Sequence, residues 1–108
     1  IIIEVPHSND LLFKFKEFRD FSLWSEHLVL HTSQSLKKLL KKTGFKNIRV
    51  EYFQRYGFTN HMRWFLEKKP RGHDLYHKDY FNEKIDLNYK KLLQKNKKTD
   101  TLIAIAGI

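Results

Sequence analysis

The stretch that decides the fold is Ile1-Ile2-Ile3-Glu4-Val5-Pro6, an apolar, β-branched run interrupted by one glutamate. Such a run is typical of a strand that is buried on both faces, as in a parallel sheet. Pro6 has no N–H to donate to a neighbouring strand, so we expect the strand to end there. A strand of this kind needs partner strands beside it and helices on both sides, so the sequence predicts an α/β fold.

Two helices are predicted downstream of this strand. Apolar residues at helical spacing predict a short helix over residues 11–18. The clearest local signal lies at residues 32–45, where leucines recur along one helix face. Thr32 is a favourable N-cap residue for that helix, and Gly44 supplies the left-handed residue that ends it.

The second half of the chain adds two strands and two helices. Residues 48–54 alternate with a period of two, which predicts a strand with one wetter face. Helical spacing returns after Gly57 and again over residues 85–93. Residues 101–108 predict a final apolar strand with small residues. Three strands separated by long connections do not cover the available helices, so we expect the sheet to continue into sequence outside this chain.

The chain is basic but has enough apolar residues for a packed core. Its formal net charge is +9, from 21 Lys and Arg against 12 Asp and Glu. Nucleic acid, an anionic membrane and an acidic substrate are all compatible with such a charge. Hydrophobic residues make up 41% of the chain and aromatic residues 15%, which argues against a disordered basic tail. Because the lysines cluster on two predicted helices, we interpret most of the charge as solvated helix surface.

Several observations bear on cellular location. The chain has no cysteine, which excludes disulfides and thiolate metal sites and fits a cytoplasmic protein. No signal-peptide pattern is present. The opening apolar run is far shorter than the ~20 residues that cross a bilayer, so we expect a soluble protein with no membrane partner. Because the sequence opens on Ile1 rather than Met, we expect it to be part of a longer product.

A family resemblance covers nearly the whole chain. The residues that carry it are Ile2-Ile3-Glu4-Val5-Pro6 with Ser8-Asn9-Asp10, then Ser25-Glu26-His27-Leu28, Thr32, Ser35-Leu36, Leu39-Leu40, Gly44-Phe45, Tyr56-Gly57, Asn60-His61 and Thr99-Asp100-Thr101-Leu102-Ile103. In this order they resemble class I S-adenosylmethionine-dependent methyltransferases, from the fifth strand of their seven-stranded sheet onward. The resemblance implies a transferase that moves a methyl group to an acceptor.

The resemblance also implies a partial Rossmann-like sheet made of the last three strands, with flanking helices. Residues 1–5, 48–54 and 101–106 would be the fifth, sixth and seventh strands. The seventh strand would run antiparallel between the other two. Residues 55–100 would form a helical insertion between the last two strands, long enough to act as a lid or to bind the acceptor.

The cofactor half of such an enzyme is missing from this chain. Its glycines are Gly44, Gly57, Gly72 and Gly107, and none forms a Gly-rich turn between a strand and a helix. The acidic residue that would hold the ribose hydroxyls is likewise outside the chain. We therefore expect the chain alone to bind S-adenosylmethionine weakly or not at all.

Candidate site residues follow from the rule that ligands bind beyond the carboxyl ends of parallel strands. Methyl transfer depends mainly on positioning, with a base where the acceptor must lose a proton. His7, just after the first strand, and His27, beside Glu26, are the candidate bases. The candidate substrate-binding residues are Asn9, Glu26, Arg55, Tyr56, Asn60 and His61. His73 and His77 have the spacing of a metal pair, but no carboxylate completes a motif and we predict no metal site.

Each candidate also has a structural alternative. A histidine can lie in a loop or on the surface, and Arg55 can pair with Glu51 or Glu67 instead of holding an acceptor carboxylate or phosphate. A competing function is a basic nucleic-acid-binding module that uses lysines with Tyr and Trp for stacking. Because nothing resembles a base-reading motif, a small-molecule or sugar-like acceptor is the preferred prediction. A homodimer that pairs the exposed sheet edges is a further expectation.

Overall fold

The computed structural model describes residues 1–24 and 30–108. Within these ranges three strands form one open sheet: β1 Ile2–Pro6, β2 Lys46–Phe53 and β3 Thr101–Gly107. β3 lies between the other two and runs antiparallel to both, so β1 and β2 are parallel to each other. The predicted position and direction of the last strand are therefore confirmed, and the chain is mixed α/β with flanking helices.

Six α-helices and one 3₁₀ turn are found in the described ranges. They are the 3₁₀ turn Leu11–Lys14, α1 Lys16–Trp24, α2 Ser33–Lys42, α3 Phe58–Glu67, α4 Gly72–Leu75, α5 His77–Tyr80 and α6 Glu83–Lys95. The helices α3 to α6 all lie between β2 and β3, so this connection is helical. In the part of the chain that the structure describes, no helix has the length and apolar character needed to cross a membrane.

The predicted helix over residues 11–18 is wrong in its bounds. The carboxyl group of Asp10 accepts a hydrogen bond from the amide of Leu12, which starts a 3₁₀ turn rather than an α-helix. The backbone of Phe15 is extended and separates this turn from α1. The apolar spacing instead serves packing, since the ring of Phe15 lies 5.5 Å from Phe65 and that of Phe18 lies 5.0 Å from Trp64.

The helix signal around residues 32–45 is confirmed as α2. The hydroxyl of Thr32 accepts from the amide of Ser35, and the hydroxyl of Ser35 accepts from the amide of Thr32, which forms a capping box. At the other end Gly44 is left-handed, with φ of 98°, and the amide of Phe45 donates to the carbonyl of Leu40 at 3.0 Å. Both ends of α2 are thus satisfied by groups visible in the sequence.

The core lies between α2 and one face of the sheet. Its buried members are Leu36, Leu40, Leu102 and Ala104, and Ile3, Val5, Phe45, Ile48, Val50 and Tyr52 pack against them. The opposite face of β1 is open: Ile2 is 71% exposed and Glu4 is also exposed. The prediction that the opening strand is buried on both faces is therefore wrong for the sheet that this chain forms. The alternation of side chains along β1 turns Ile3 and Val5 towards the core, where they are partly buried.

The contact between α3 and α4 leaves no space for a side chain at Gly72. A Cβ at this position would clash with the carbonyl oxygens of Thr59 and Asn60 and would lie 2.9 Å from the Cβ of Arg63. We expect Gly72→Ala to destabilise the chain by about 2 kcal/mol, because the two helices must move apart. The measurement is the urea unfolding midpoint.

Gly107→Ala is the matched control for this prediction. A Cβ at Gly107 would meet its nearest neighbour, the carbonyl oxygen of Lys46, at 3.6 Å, which is an ordinary contact distance. This variant should unfold close to the wild-type midpoint. Equal midpoints for the two glycine variants would contradict the close approach of α3 and α4.

Candidate functional site

A cleft of about 620 Å³ lies where the parallel strands β1 and β2 end. Its walls are formed by residues that follow β1 and β2, by the first turns of α3 and by the start of β3. Its polar lining includes His7, Asp10, Arg55, Tyr56, Asn60, His61, Arg71, His73, Asp100 and Thr101. The carboxyl ends of parallel strands are where ligands bind in open α/β sheets, so this is the candidate functional site.

Most of the predicted site residues come together in this cleft. His7, Arg55, Tyr56, Asn60 and His61 all line it, although up to 54 positions separate them in the sequence. They converge because the ends of β1 and β2 are brought together across β3.

One predicted site residue does not line this cleft, and two others are not among the described residues. Asn9 is exposed and its amide group donates to the carbonyl of Lys97 at 3.1 Å, so it does not line this cleft, and its role in substrate binding stays a prediction. Asn9 instead borders a second cleft of about 590 Å³, together with Thr32, Lys37 and Lys97. Glu26 and His27 lie outside the described residues.

His7 is held in a single tautomer. Its ring is 3% exposed, and Nδ1 lies 2.9 Å from the carbonyl oxygen of Thr99. A carbonyl oxygen can only accept, so Nδ1 must carry the hydrogen and Nε2 must carry the lone pair. No hydrogen bond to Nε2 is formed by the described residues. Burial lowers the pKa of His7, so the ring is a neutral proton acceptor at neutral pH.

His61 has a different role, because both of its ring nitrogens are engaged. The side-chain amide of Gln54 is oriented by donating to the carbonyl of Tyr56 at 2.7 Å and accepting from the amide of Asp100 at 2.9 Å. Its nitrogen therefore faces Nε2 of His61 at 3.2 Å, and Nδ1 of His61 lies 2.6 Å from the hydroxyl of Tyr89. Burial lowers the pKa of His61 to about 4. This neutral histidine joins α3 to α6 and stiffens the cleft wall.

Asp100 ties the strand ends together. One carboxylate oxygen accepts from the amide of Arg55 and the hydroxyl of Thr101, and the other accepts from the amide of Tyr56 and the side chain of Gln54. All four distances lie between 2.8 and 3.0 Å. A carboxylate that accepts this many hydrogen bonds serves as a structural clamp, since its oxygens are occupied.

The alternative pairings considered for Arg55 are wrong. Its guanidinium group lies 2.7 Å from the carboxylate of Glu4, which bridges the ends of β2 and β1. Both side chains are about half exposed, so this ion pair contributes little stability. Glu51 instead pairs with Arg49, and Glu67 with Arg63.

Tyr56 and Asn60 both contact His73. The ring of Tyr56 lies 5.4 Å from that of His73, and the amide group of Asn60 donates to Nδ1 of His73 at 2.9 Å. His77 stacks on Phe81 at 4.3 Å. No group of three or more potential metal ligands is found in the described ranges. His73 therefore belongs to the wall of the cleft.

Two important residues of the cleft were missed at the level of sequence. Asp10 caps the 3₁₀ turn, and it also lines the cleft and is 7% exposed. Burial, aided by the nearby charge of Asp100, raises the pKa of Asp10 to about 7. Its place directly after β1 was the available signal. Arg71 lines the cleft with a left-handed backbone, φ of 72°, and no motif in the sequence singled it out.

Comparison of the chain with protein-family models, with curated proteins and with solved structures found no match.

Proposed function

We propose that this chain forms the acceptor side of a class I S-adenosylmethionine-dependent methyltransferase that acts on a small-molecule or sugar-like acceptor. The observation that carries the proposal is His7, a neutral histidine with a fixed tautomer at the carboxyl end of β1, in the main cleft. The arrangement of β3 between two parallel strands supports it, since the resemblance implies this order.

The chemistry assigned to this chain is the removal of a proton. S-adenosylmethionine would supply an activated methyl group from outside the residues of this chain. An acceptor hydroxyl or amine must lose a proton when it is methylated, and Nε2 of His7 can take that proton. The hydrogen bond from Nδ1 to the carbonyl of Thr99 keeps the ring oriented and partly stabilises the imidazolium that results.

The residues of this chain do not fit the cofactor itself. The turn that follows β1 contains Pro6, His7 and Ser8 and has no glycine, so it lacks the close backbone approach that a Gly-rich turn provides. The turn after β2 contains Gly57, but its position is packed against Asp86. We therefore assign the binding of the cofactor to other residues.

The test compares the protein encoded by the whole reading frame with residues 1–108 alone. Isothermal titration calorimetry with S-adenosylmethionine should show binding to the former and none to the latter. S-adenosylhomocysteine formation should then be detected with one member of an acceptor panel of catechol, methyl α-D-glucopyranoside and ethanolamine. The proposal would be contradicted if the protein encoded by the whole reading frame (the whole-frame protein) bound no cofactor. Tight binding by residues 1–108 alone would also contradict it.

Location and partners complete the proposal. We assign the enzyme to the cytoplasm, in keeping with the absence of cysteine. A homodimer could form along the outer edge of β1, where Ile2 is exposed. Nucleic acid is not proposed as a partner, because the lysines of α2 are exposed along a helix in the manner of a solvated surface. Light scattering at micromolar concentration distinguishes the dimer from a monomer.

A further inference from the structure

The two guanidinium groups of the 620 Å³ cleft are already paired with carboxylates. Arg55 pairs with Glu4 at 2.7 Å, and Arg71 pairs with Asp74 at 3.2 Å. An anionic ligand would have to displace a carboxylate from either guanidinium group, so it would gain little. A cationic ligand would be repelled by the same two guanidinium groups. The other carboxyl groups of the lining offset little of this repulsion near neutral pH, because Asp100 already accepts four hydrogen bonds and burial raises the pKa of Asp10 to about 7. The cleft therefore favours a neutral ligand that both donates and accepts hydrogen bonds.

Asp10 offers an unused hydrogen-bond acceptor to such a ligand. Its Oδ1 accepts from the amide of Leu12 at 2.9 Å, and no described group donates to Oδ2. The described residues contain no fully buried side-chain oxygen or nitrogen without a partner. Asp10 lines the cleft, so Oδ2 is the acceptor that this residue can offer to a ligand there, although the residue as a whole is 7% exposed.

Aromatic rings form the apolar wall of the same cleft. Phe13, Phe18, Phe21 and Trp64 line it, and the rings of Phe18 and Phe21 lie 5.0 and 5.5 Å from that of Trp64. Trp64 is buried behind them, whereas Phe21 is 49% exposed. A ring with an apolar C–H face and polar edges would place that face on the phenylalanines and its edges towards Asp10, His7 and Asn60.

We propose that Asp10 positions the acceptor, and that the acceptor is a neutral polyhydroxylated ring whose hydroxyls donate to Oδ2 of Asp10. The term acceptor rests on the proposed function, whereas the binding of such a ring does not. In the complete reaction Asp10 would fix the ring while Nε2 of His7 takes the proton of the reacting hydroxyl. Asp10 is thus a positioning residue.

The test is ligand-observed NMR by saturation transfer on the whole-frame protein without cofactor, with methyl α-D-glucopyranoside as the probe. Asp10→Asn keeps an oxygen for the Leu12 amide but replaces the acceptor Oδ2 with an amide NH2 group, which only donates, so we expect the dissociation constant to rise about tenfold or more. Phe21→Ala removes an exposed part of the wall and should also weaken binding. Asp20→Asn, an exposed Asp of α1 outside the cleft, should leave binding unchanged.

The outcomes separate this inference from the proposed function. Unchanged glucoside binding in both Asp10→Asn and Phe21→Ala would overturn it, as would stronger binding of inorganic phosphate or ethanolamine than of the glucoside. No detectable binding to the wild type at 50 mM, about fifty times a 1 mM dissociation constant, would also overturn it. Glucoside binding that depends on Asp10, without methyl transfer to any acceptor, would support the inference while the methyltransferase proposal fails.

Discussion

The Asp10→Asn variant is expected to be more stable than the wild type at pH 8, by about 3 kcal/mol, and equally stable at pH 4. Burial raises the pKa of this carboxyl group to about 7, from an ordinary value of 3.8. At pH 8 the wild type must therefore keep a charge in a site that disfavours it. The amide has no charge, and its oxygen can still accept from the amide of Leu12.

The direction of the pH dependence follows from the raised pKa. Below pH 3.8 the carboxyl group is protonated in both the folded and the unfolded chain, and its contribution to stability is fully present. That contribution is lost as the pH rises through the folded-state pKa of about 7. Burial lowers the pKa values of His7 and His61, so their contributions to the folding free energy have the opposite pH dependence. These contributions are lost as the pH falls.

The difference between wild type and variant isolates Asp10 from these histidines, which both proteins share. Asp100 and Tyr89, the other titratable groups that interact with Asp10, are also unchanged. The measurement is the free energy of urea unfolding at pH 4, 6 and 8. Asp20→Asn, which removes an exposed carboxylate, should follow the wild type at every pH. A constant difference between Asp10→Asn and wild type across this range would contradict the buried carboxyl group.

Local chemistry explains which parts of the fold could be predicted from the sequence. The ends of α2 depend on Thr32, Ser35 and Gly44, all within one short segment, so their effect is visible without tertiary structure. The position of β3 came from the resemblance, since nothing in residues 101–107 themselves specifies a central antiparallel strand. Once that order is assumed, the convergence of His7 with Arg55 and Tyr56 follows from topology.

The features that were missed depend on contacts between distant residues. The face of β1 that carries Ile2 is exposed, because α2 packs on the other face of the sheet. An apolar run in the sequence does not show which face of a strand a helix will cover. Oδ1 of Asp10 accepts from the amide of Leu12 at the start of the 3₁₀ turn, which leaves Oδ2 without a donor among the described residues. The tautomer of His7 is set by Thr99, 92 positions away. Residue type and strand-end position could nominate these groups, but their protonation and partners are properties of the assembled cleft.

The largest effect on activity is expected from His7→Asn in the whole-frame protein. The amide nitrogen of Asn can replace Nδ1 as the donor to the carbonyl of Thr99, but nothing replaces the lone pair of Nε2. We expect the rate of S-adenosylhomocysteine formation to fall about 10²–10⁴-fold, the range for loss of a general base. His77→Asn is the control, because His77 is exposed, stacks on Phe81 and does not line the cleft.

A pH profile distinguishes a base at His7 from a residue that merely supports the cleft. Because burial lowers its pKa, wild-type kcat/KM should fall on the acid side only below the ordinary histidine value of 6.5. Measured in the Asp10→Asn background, where residue 10 no longer titrates, His7→Asn should remove this acid limb and leave a residual rate that is flat between pH 5 and 7. If the variant keeps the acid limb and loses rate uniformly, His7 supports the structure and another group removes the proton. The neutral His61 is not that group, because Gln54 and Tyr89 occupy both of its nitrogens.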